Sequence, residues 1–416
     1  MPRTILICSS FYPPHFIGGA ELMAHYHAKR MQERGHRVIA LVGDLTSGGE
    51  RYSLTEGVYD GVTVFRVRLH PEDLSHQFVS FFHPQVERHF RALVDRFAPS
   101  VAHLHNLIGL SSGLITTAKQ RGIVTVLTVH DHWGFCFRNT LLRDDESVCR
   151  DFSQCADCMP SIDEGRGRGI PIRLRNDFLA RQFRQLDAVV SPSAYLADTY
   201  VKAGVPREKF RVIWYGVDVE RFSRVTKSAR GGRLRFTFIG YFGRHKGLHV
   251  LLDAFASLPA GSPASLNLVG DGELMGWTRE RVRDGVNGAV VFTGKVDHGK
   301  IDEVFAQTDV MVLPSIWPEN QPITITEAMA SRTPVIASRL GGISELIADG
   351  RSGYLFTAGD AGQLAARMSE FIADPAKVST FGDYGYSLIR EKSIDHQVDE
   401  LLRLYTELEA NGHVAR

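Results

Sequence analysis

The 416-residue sequence contains no apolar run long enough to span a membrane and almost no net charge. No apolar segment approaches the roughly 20 residues that a spanning helix needs. The N-terminus, MPRTILICSSFYPP, passes directly into a strand-like run without a signal-peptide pattern. The 48 basic and 47 acidic residues give a formal charge of +1, so composition gives no indication of nucleic-acid binding. These features predict a cytoplasmic protein.

Two common phosphate-binding motifs are also missing. The sequence has no G-x-x-x-x-G-K-[ST] loop. Gly270, Gly272 and Gly276 follow a strand-like run and precede a helix-like one. Their spacing, G-x-G-x-x-x-G, differs from the G-x-G-x-x-G that packs strand, helix and pyrophosphate together. The spacing argues against a dinucleotide-dependent dehydrogenase.

Cysteine is scarce, yet four of the five cysteines fall between residues 130 and 160, namely Cys136, Cys149, Cys155 and Cys158. Without a secretory signal a disulfide is disfavoured. A C-x2-C pair with two further thiols matches the ligands of a tetrahedral structural Zn²⁺ site. The full spacing, C-x12-C-x5-C-x2-C, is not that of a regular zinc ribbon, and reduced, unligated cysteines fit equally well. The cluster is therefore a candidate for structural zinc only.

Short apolar runs alternate with amphipathic stretches along the whole sequence. This alternation is typical of α/β proteins with parallel sheets and crossover helices. At roughly 150 residues per domain, the length favours two domains. The predicted strands cover residues 4–10, 37–43, 62–67, 101–105, 123–130 and 188–192 in the first half, and 235–239, 265–269, 289–292, 309–313 and 334–337 in the second. The polar stretch 223–233 is predicted to be a linker.

The segment around residues 309–332 places two glutamates eight positions apart. The apolar run DVMVL predicts a buried strand, the proline-rich stretch after it a loop, and residues 323–332 a helix. Glu319 then lies in the loop and Glu327 on the helix. Ligands of open α/β sheets bind at the carboxyl ends of the strands, where a helix N-terminus can bind phosphate. A nucleoside diphosphate suits such a site, although the spacing alone is equally typical of two solvated glutamates.

This segment resembles the E-x7-E signature of the family 4 retaining glycosyltransferases, which have the GT-B fold. The similarity continues through GGISELIADGRSGYLF and extends over essentially the whole chain. Further segments of the same kind are GGAE (18–21), HD (130–131), YGVD (215–218), HKG (245–247) and VGDGE (269–273). The resemblance implies two doubly wound Rossmann-like domains that face a central crevice. Residues 1–210 would form the acceptor-side domain, residues 211–393 the donor-binding domain, and a helix within 394–416 would pack back on the first domain.

The resemblance also implies roles in donor binding. Glu319 would hold the donor sugar, Glu327 the ribose, and Lys246 and Arg244 would stabilise the charge that develops on the leaving diphosphate. Tyr241 stands where the family commonly has an arginine, so Arg244 would compensate from three residues later. Solvated turn charges are the alternative for both cations. The loop with Gly270, Asp271 and Gly272 would line the nucleotide site, and backbone groups of Asn320, Gln321, Pro322 and Ile323 would assist.

In the first domain, a strand–turn–helix segment contains Gly18 and Gly19. Paired glycines permit positive φ and a close approach of backbone to ligand, and the resemblance implies that they approach the donor diphosphate. A plain helix-start turn fits as well. Glu21 would help to shape the acceptor side. His130 ends the apolar run IVTVLTV, where an imidazole can donate to a sugar hydroxyl, and Asp131 would orient it. His103 and His105, which flank another strand end, would at most support this site.

The predicted function is transfer of a sugar from a UDP- or GDP-linked donor to an acceptor hydroxyl, with retention at the anomeric carbon. Such a hexosyltransferase would act in polysaccharide, lipopolysaccharide or glycolipid biosynthesis, and the resemblance implies no catalytic metal. Two alternatives are a UDP-sugar epimerase of the same fold and a non-catalytic subunit that binds a nucleotide sugar. The arginine-rich stretch 166–184 predicts peripheral contact with an anionic membrane and a carbohydrate or lipid-linked acceptor.

Overall fold

The computed structural model describes residues 2–15, 18–46, 48–75, 81–163, 169–229, 231–286 and 289–414. It divides into two compact units. The first contains residues 1–139, 149–215 and 394–416, and the second contains residues 140–148 and 216–393. Within the described ranges, no helix is both long and apolar enough to cross a membrane.

The first unit is built on an eight-stranded sheet in the order β10-β9-β6-β5-β1-β2-β4-β3. Neighbouring strands are parallel except for β3, which pairs antiparallel with β4 at the edge. The strands are β1 (Thr4–Ser9), β2 (Arg37–Asp44), β3 (Leu54–Tyr59), β4 (Val62–Arg68), β5 (Val101–Leu104), β6 (Val124–Thr128), β9 (Ala188–Ser191) and β10 (Phe210–Val212). A separate antiparallel pair consists of β7 (Ser161–Asp163) and β8 (Gly169–Pro171).

The second unit is built on a six-stranded, fully parallel sheet in the order β13-β12-β11-β14-β15-β16. In chain order this is 3-2-1-4-5-6, the doubly wound arrangement. The strands are β11 (Leu234–Ile239), β12 (Ala264–Val269), β13 (Ala289–Gly294), β14 (Val310–Leu313), β15 (Val335–Ser338) and β16 (Gly353–Phe356).

Helices connect the strands of both sheets. Those of the first unit are α1 (Gly19–Glu33), α2 (Pro71–Ser75), α3 (Pro84–Phe97), α4 (Gly113–Gln120), α5 (Cys155–Cys158), α6 (Ile172–Gln185), α7 (Ala194–Lys202) and the C-terminal helix α16 (Ile394–Val414). Those of the second unit are α8 (Val219–Ser223), α9 (Leu248–Ala256), α10 (Met275–Gly285), α11 (Ile301–Ala306), α12 (Ile323–Ala330), α13 (Ile343–Leu346), α14 (Ala361–Ala373) and α15 (Lys377–Ile389).

Each unit has its own apolar core. In the first, β1 and β2 pack against α1 and α16, with Val398 and Leu401 fully buried. In the second, β11, β12 and β14 pack against α9 and α14, with Phe236 and Phe371 fully buried. Strands covered on both faces consist of nearly continuous apolar runs, which explains why the sequence pattern identifies them.

The α/β class and the parallel sheets agree with the prediction, and every predicted strand overlaps an observed one. Three details differ. The stretch predicted as a linker belongs to the second unit, where the Lys227 ammonium donates to the carbonyl of Phe305 at 2.9 Å. Strand β6 ends at Thr128, so His130 lies two residues beyond the strand. The first unit runs to Tyr215, beyond the predicted boundary at residue 210, and residues 140–148 group with the second unit.

Candidate active site

The topology of the second sheet explains how residues distant in sequence meet. Its strand order reverses between β11 and β14, and the loops that follow two such strands meet at the carboxyl edge. The loop after β11 contains Lys246, and the loop after β14 contains Glu319. The amide of Ile316 donates to the carbonyl of His245 at 2.9 Å, which joins the two loops directly.

Glu319 and Lys246 form a largely buried ion pair. The Lys246 ammonium lies 2.6 Å from Glu319 Oε1, and the Ser315 hydroxyl donates to the same oxygen at 2.8 Å. Glu319 is only 6% exposed. Burial by itself would raise the pKa of its carboxyl, but the Lys246 charge and the hydrogen bonds outweigh burial and hold that pKa below its usual value. Glu319 is therefore ionised at neutral pH, and its charge is matched by Lys246.

Aromatic side chains lie along one side of the ion pair. The Lys246 ammonium lies 5.2 Å from the centre of the Trp317 ring, within cation–π range. The edge of His245 meets the same indole, with ring centres 5.4 Å apart. Burial and the nearby Lys246 charge lower the pKa of His245 to about 4, so this imidazole is neutral. The ion pair therefore has an apolar wall on this side, which strengthens its electrostatic interaction.

The backbone of Glu319 is fixed by a glycine pair. The Gly342 amide donates to the Glu319 carbonyl at 2.8 Å. Gly341 has φ +62°, and a Cβ there would lie 2.2 Å from the same carbonyl oxygen. This contact explains why GGISE accompanies the E-x7-E segment.

The second glutamate, Glu327, is in contact with His298. It lies on α12, is 2% exposed, and its Oε1 lies 2.6 Å from Nε2 of His298. Helix α12 begins at Ile323, between the two glutamates in sequence. Asn320 and Gln321, just before the helix, are buried, and Pro322 is its N-cap residue. The predicted donor-binding segment is thus a compact loop that leads directly into a helix.

Two predicted residue groups make contacts that the sequence did not specify. Gly270 and Gly272 pack on the segment after β11, because a Cβ on Gly270 would lie 1.8 Å from the Gly240 carbonyl oxygen. Asp271 takes part in the same packing, since its carbonyl accepts from the Phe242 amide at 2.9 Å. These glycines shape the loop that presents Lys246. The Arg244 side chain is exposed and pairs with Glu146 rather than joining the Lys246 pair.

In the first unit, His130 is held at both ring nitrogens. Its Nε2 lies 2.9 Å from Nδ1 of His105, and its Nδ1 lies 2.5 Å from the Tyr215 hydroxyl. Burial lowers the pKa of His130 to about 3, so the imidazole is neutral. Asp131 was expected to orient this ring, but its Oδ1 accepts from the Trp133 amide at 2.7 Å. His105 and Tyr215 therefore fix the orientation of His130.

The paired glycines at the start of α1 do not use the conformational freedom expected of them. Gly18 is extended, with φ −161°, and Gly19 is the first helical residue. The Gly18 amide donates to Oε2 of Glu21 at 3.0 Å, so the Glu21 carboxylate satisfies the amide just before the helix. The expected positive φ was wrong, because the helix start needs only extended backbone at Gly18, whereas the approach of Gly18 and Gly19 to the donor diphosphate stays a prediction.

No three of the four clustered cysteines bring their sulfur atoms within 4.8 Å of one another. Cys149 Sγ lies 3.4 Å from the Asp151 carbonyl, and Cys155 Sγ lies 3.2 Å from the Phe152 carbonyl. In the part of the chain that the structure describes, the only His, Cys, Asp and Glu group with ligand atoms within 4.8 Å of one another is His27, His103 and His105. A zinc site made by Cys136, Cys149, Cys155 and Cys158 stays a prediction that metal analysis would test.

The histidine group is organised as a stack of rings rather than around a metal. The rings of His103 and His105 lie 4.5 Å apart and 29° from parallel. Both nitrogens of His103 are already engaged, by the Tyr405 hydroxyl at 2.6 Å and the Thr128 hydroxyl at 2.7 Å. No lone pair of His103 is left for a metal. This stack extends from α16 to His105 and supports His130.

Glu21 provides a test of the electrostatics of this unit. Burial raises the pKa of its carboxyl to about 7, although the amides of Glu21 and Gly18 oppose the shift. The pKa of the Glu21 carboxyl is higher in the folded protein than in the unfolded one. Its contribution to the free energy of unfolding is therefore complete below pH 4.5 and is lost as pH rises through 7. Glu21→Gln keeps an oxygen that can accept from the Gly18 amide. We expect it to stabilise the protein at pH 8 by on the order of 3 kcal/mol, and the gain to disappear near pH 4.5.

Urea unfolding of both proteins at the two pH values measures this difference. Glu33→Gln, which removes a half-exposed carboxylate from the same helix, controls for loss of charge. A gain from Glu21→Gln that is equal at both pH values would contradict a raised pKa.

Two family models and several known proteins match this chain. Residues 17–221 match the family model described as Glycosyltransferase Family 4, and residues 220–388 match the model described as Glycosyl transferases group 1. A glycogen synthase of Mycobacterium tuberculosis (strain CDC 1551 / Oshkosh) is 25% identical over 398 residues, which cover 89% of this chain and 86% of the relative.

Solved structures share the fold. Sucrose-phosphate synthase from Thermosynechococcus elongatus superimposes with a TM-score of 0.77 and 19% identity, over 98% of this chain and 100% of that one. Anabaena HepE, solved in complex with UDP-glucose, gives a TM-score of 0.69 and 20% identity, over 96% and 99% of the two chains. The fold is therefore GT-B. The chain belongs to the group 1 glycosyltransferases and is a transferase enzyme.

Several residues of the candidate site were not predicted from the sequence. They are Ser315, Trp317 and His298 in the second unit, and the contact of Tyr215 with His130 in the first. Ser315 and Trp317 lie in the same loop as Glu319. His298 follows β13, another parallel strand whose carboxyl end faces the same sheet edge. Because the loops after parallel strands meet at one edge of the sheet, the position of His298 could have been predicted.

Proposed function

We propose that this glycosyltransferase moves a sugar from a nucleoside diphosphate sugar to an acceptor hydroxyl, with retention at the anomeric carbon. The observation that supports the proposal best is the buried Glu319–Lys246 pair beside the start of α12. It combines a carboxylate that can accept from sugar hydroxyls with a cation suited to a diphosphate. The Anabaena relative solved with UDP-glucose supports a nucleotide sugar of this type.

In the proposed reaction, the bond between the anomeric carbon and the diphosphate oxygen breaks while the acceptor oxygen bonds to the same face. The acceptor proton passes to the departing diphosphate. Lys246 stabilises the negative charge that develops on the leaving group, and Glu319 holds the donor sugar. Amides at the start of α12 assist with the diphosphate, and Glu327 accepts from the ribose hydroxyls.

Acceptor recognition is assigned to the first unit, where Glu21, His130 and Tyr215 supply polar groups. Because both nitrogens of His130 are engaged, a sugar hydroxyl would have to replace one partner or bind the neighbouring groups. The glycogen synthase relative supports a carbohydrate acceptor in polysaccharide synthesis. Thermal-shift measurements with UDP, GDP and ADP sugars test the donor, since a bound ligand raises stability according to its occupancy.

Peripheral contact with an anionic membrane is proposed for helix α6. Its outward side has exposed Arg173, Arg181 and Arg184, together with Leu174, which is 61% exposed. Arg175 does not contribute, because it is buried and donates to the Trp133 carbonyl at 2.5 Å. Arg166 and Arg168, part of the predicted basic stretch, lie outside the described residues.

We expect the protein to float with vesicles that contain anionic lipid at physiological salt. Changing Arg173, Arg181 and Arg184 together to Glu should release it, since each basic residue near the surface contributes about 1 kcal/mol. The matched control is the same change at Arg88, Arg91 and Arg96, which are exposed on α3. Equal release by both triple variants, or no flotation of the unchanged protein, would contradict membrane docking through α6.

A further inference from the structure

His298 forms a short contact with Glu327. Its Nε2 lies 2.6 Å from Oε1 of Glu327, whose side chain is 3% exposed, whereas the His298 side chain is 23% exposed. The imidazole can donate through Nε2 whether it is neutral or protonated. A charge-assisted hydrogen bond of this length is among the stronger side-chain contacts. Glu327 is therefore held in one orientation by a residue from a different loop.

His298 is itself fixed from behind. Its carbonyl accepts from the Arg221 guanidinium at 2.9 Å, and the same guanidinium pairs with Asp302 at 2.5 Å. The next turn is closed by Asp297, whose carboxylate accepts from the Gly299 amide at 2.7 Å. Helix α8, through Arg221, thus anchors the loop after β13. Because these contacts fix the loop, His298 can hold Glu327 in place before a ligand binds.

The contact leaves one side of the carboxylate for a ligand. Oε1 of Glu327 is engaged by His298, and Oε2 forms no hydrogen bond to the residues that the structure describes. A carboxylate that is oriented through one oxygen can present the other to neighbouring hydroxyls. The 2′ and 3′ hydroxyls of a ribose are two such donors. Losing one partner of a buried polar contact costs binding, so the arrangement favours a ribonucleotide over its deoxy form.

We propose that His298 is a positioning residue that orients Glu327 toward the ribose of the donor and thereby sets the preference for a ribonucleotide. The inference rests on the proposed function, because it assumes that Glu327 meets the ribose. His298 acts through Glu327 and does not touch the reacting atoms. Its loss affects the binding of ribose hydroxyls, while the transfer step itself proceeds at a similar rate.

Calorimetry with UDP, GDP and ADP first identifies which nucleotide the 416-residue protein binds. That nucleotide is then compared with its 2′-deoxy counterpart in the unchanged protein and in His298→Leu, His298→Gln and Glu327→Gln. We expect the unchanged protein to prefer the ribonucleotide at least tenfold. His298→Leu should weaken ribonucleotide binding about tenfold and leave deoxynucleotide binding nearly unchanged. His298→Gln, whose amide can donate in the same place, should restore most of the preference.

Two further measurements separate positioning from a structural role. In the double variant His298→Leu/Glu327→Gln, ribonucleotide binding should be no weaker than in Glu327→Gln alone, because the two residues act together. In turnover assays, His298→Leu should raise KM for the donor with little change in kcat. His396→Leu, which removes a surface histidine paired with Glu400 on α16, is the control and should change neither.

The outcomes distinguish this inference from the proposed function. If Glu327→Gln loses the ribose preference and both His298 variants keep it, the inference is overturned and the proposed function stands. Equal weakening of ribo- and deoxynucleotides by both His298 variants would also overturn it, since that result indicates a structural role. If none of the three nucleotides binds, or Glu327→Gln keeps the preference, the assignment of Glu327 fails and the inference fails with it.

Discussion

Replacing Glu319 by Gln should lower turnover by about 10²- to 10³-fold, the usual effect of removing one preorganised electrostatic group. Glu319 is buried, ionised and bonded to Lys246 at 2.6 Å and to Ser315 at 2.8 Å. Gln keeps the size of the side chain and an acceptor for Ser315, so the fold should persist. Lys246→Met should cause a loss of the same order, because it removes the cation assigned to the diphosphate. Initial rates with the donor identified by thermal shift measure both effects.

A second buried ion pair in the same unit supplies the control. Asp309 is 2% exposed and pairs with Arg235 at 2.9 Å, at the beginning of β14 and thus at the opposite end of the strand from Glu319. Asp309→Asn should lower the stability of the protein but leave the rate per folded molecule nearly unchanged. Near-normal turnover in folded Glu319→Gln, or an equal loss in Asp309→Asn, would refute the role assigned to Glu319.

Gly247→Ala should both destabilise the protein and reduce turnover. Gly247 has φ +69°, and a Cβ there would lie 1.9 Å from the Pro314 carbonyl oxygen. The loop that follows β14 would have to move away from the turn that carries Lys246. We expect a loss of about 2–4 kcal/mol in unfolding free energy and a marked fall in rate, because the Lys246–Glu319 contact would open. Thermal unfolding and initial rates measure the two effects.

Gly261→Ala is a control that introduces backbone strain without a steric clash. Gly261 has φ +80°, but a Cβ there would meet no atom within 4 Å. This change should cost only the roughly 1–2 kcal/mol of a left-handed conformation and leave the rate unaltered. If the two alanine variants behave alike, the contact between Gly247 and Pro314 does not shape the site.

Most buried parallel strands were accessible from the sequence, whereas the exposed edge strand β3 and the strands β10 and β16 were not. β14 is an uninterrupted apolar run between clear loop signals, and its prediction holds to within one residue. β3, LTEGVY, was missed because it is an edge strand whose central residues are exposed, so burial imposes no alternation on it. β10 has only three residues, two of them exposed, and β16, GYLF, begins with a glycine, which is unfavourable within a strand.

For the candidate site, sequence identified which residues lie near the sheet edge but not which of them pair. Glu319 and Lys246 were both assigned to the donor, yet their direct contact depends on the reversal of strand order between β11 and β14. Arg244, two residues before Lys246, turns outward to Glu146. The partners of His130 likewise come from the ends of separate strands, so no local pattern specifies them.

The central claim, retaining transfer from a nucleoside diphosphate sugar, is tested most directly by NMR of the anomeric proton. The protein is incubated with the nucleotide sugar that stabilises it, and the first sugar released to water or to an added acceptor is observed before it mutarotates. We predict release of the nucleoside diphosphate together with a sugar of the same anomeric configuration as the donor. A sugar of inverted configuration, or a donor that is isomerised without transfer, would contradict the account.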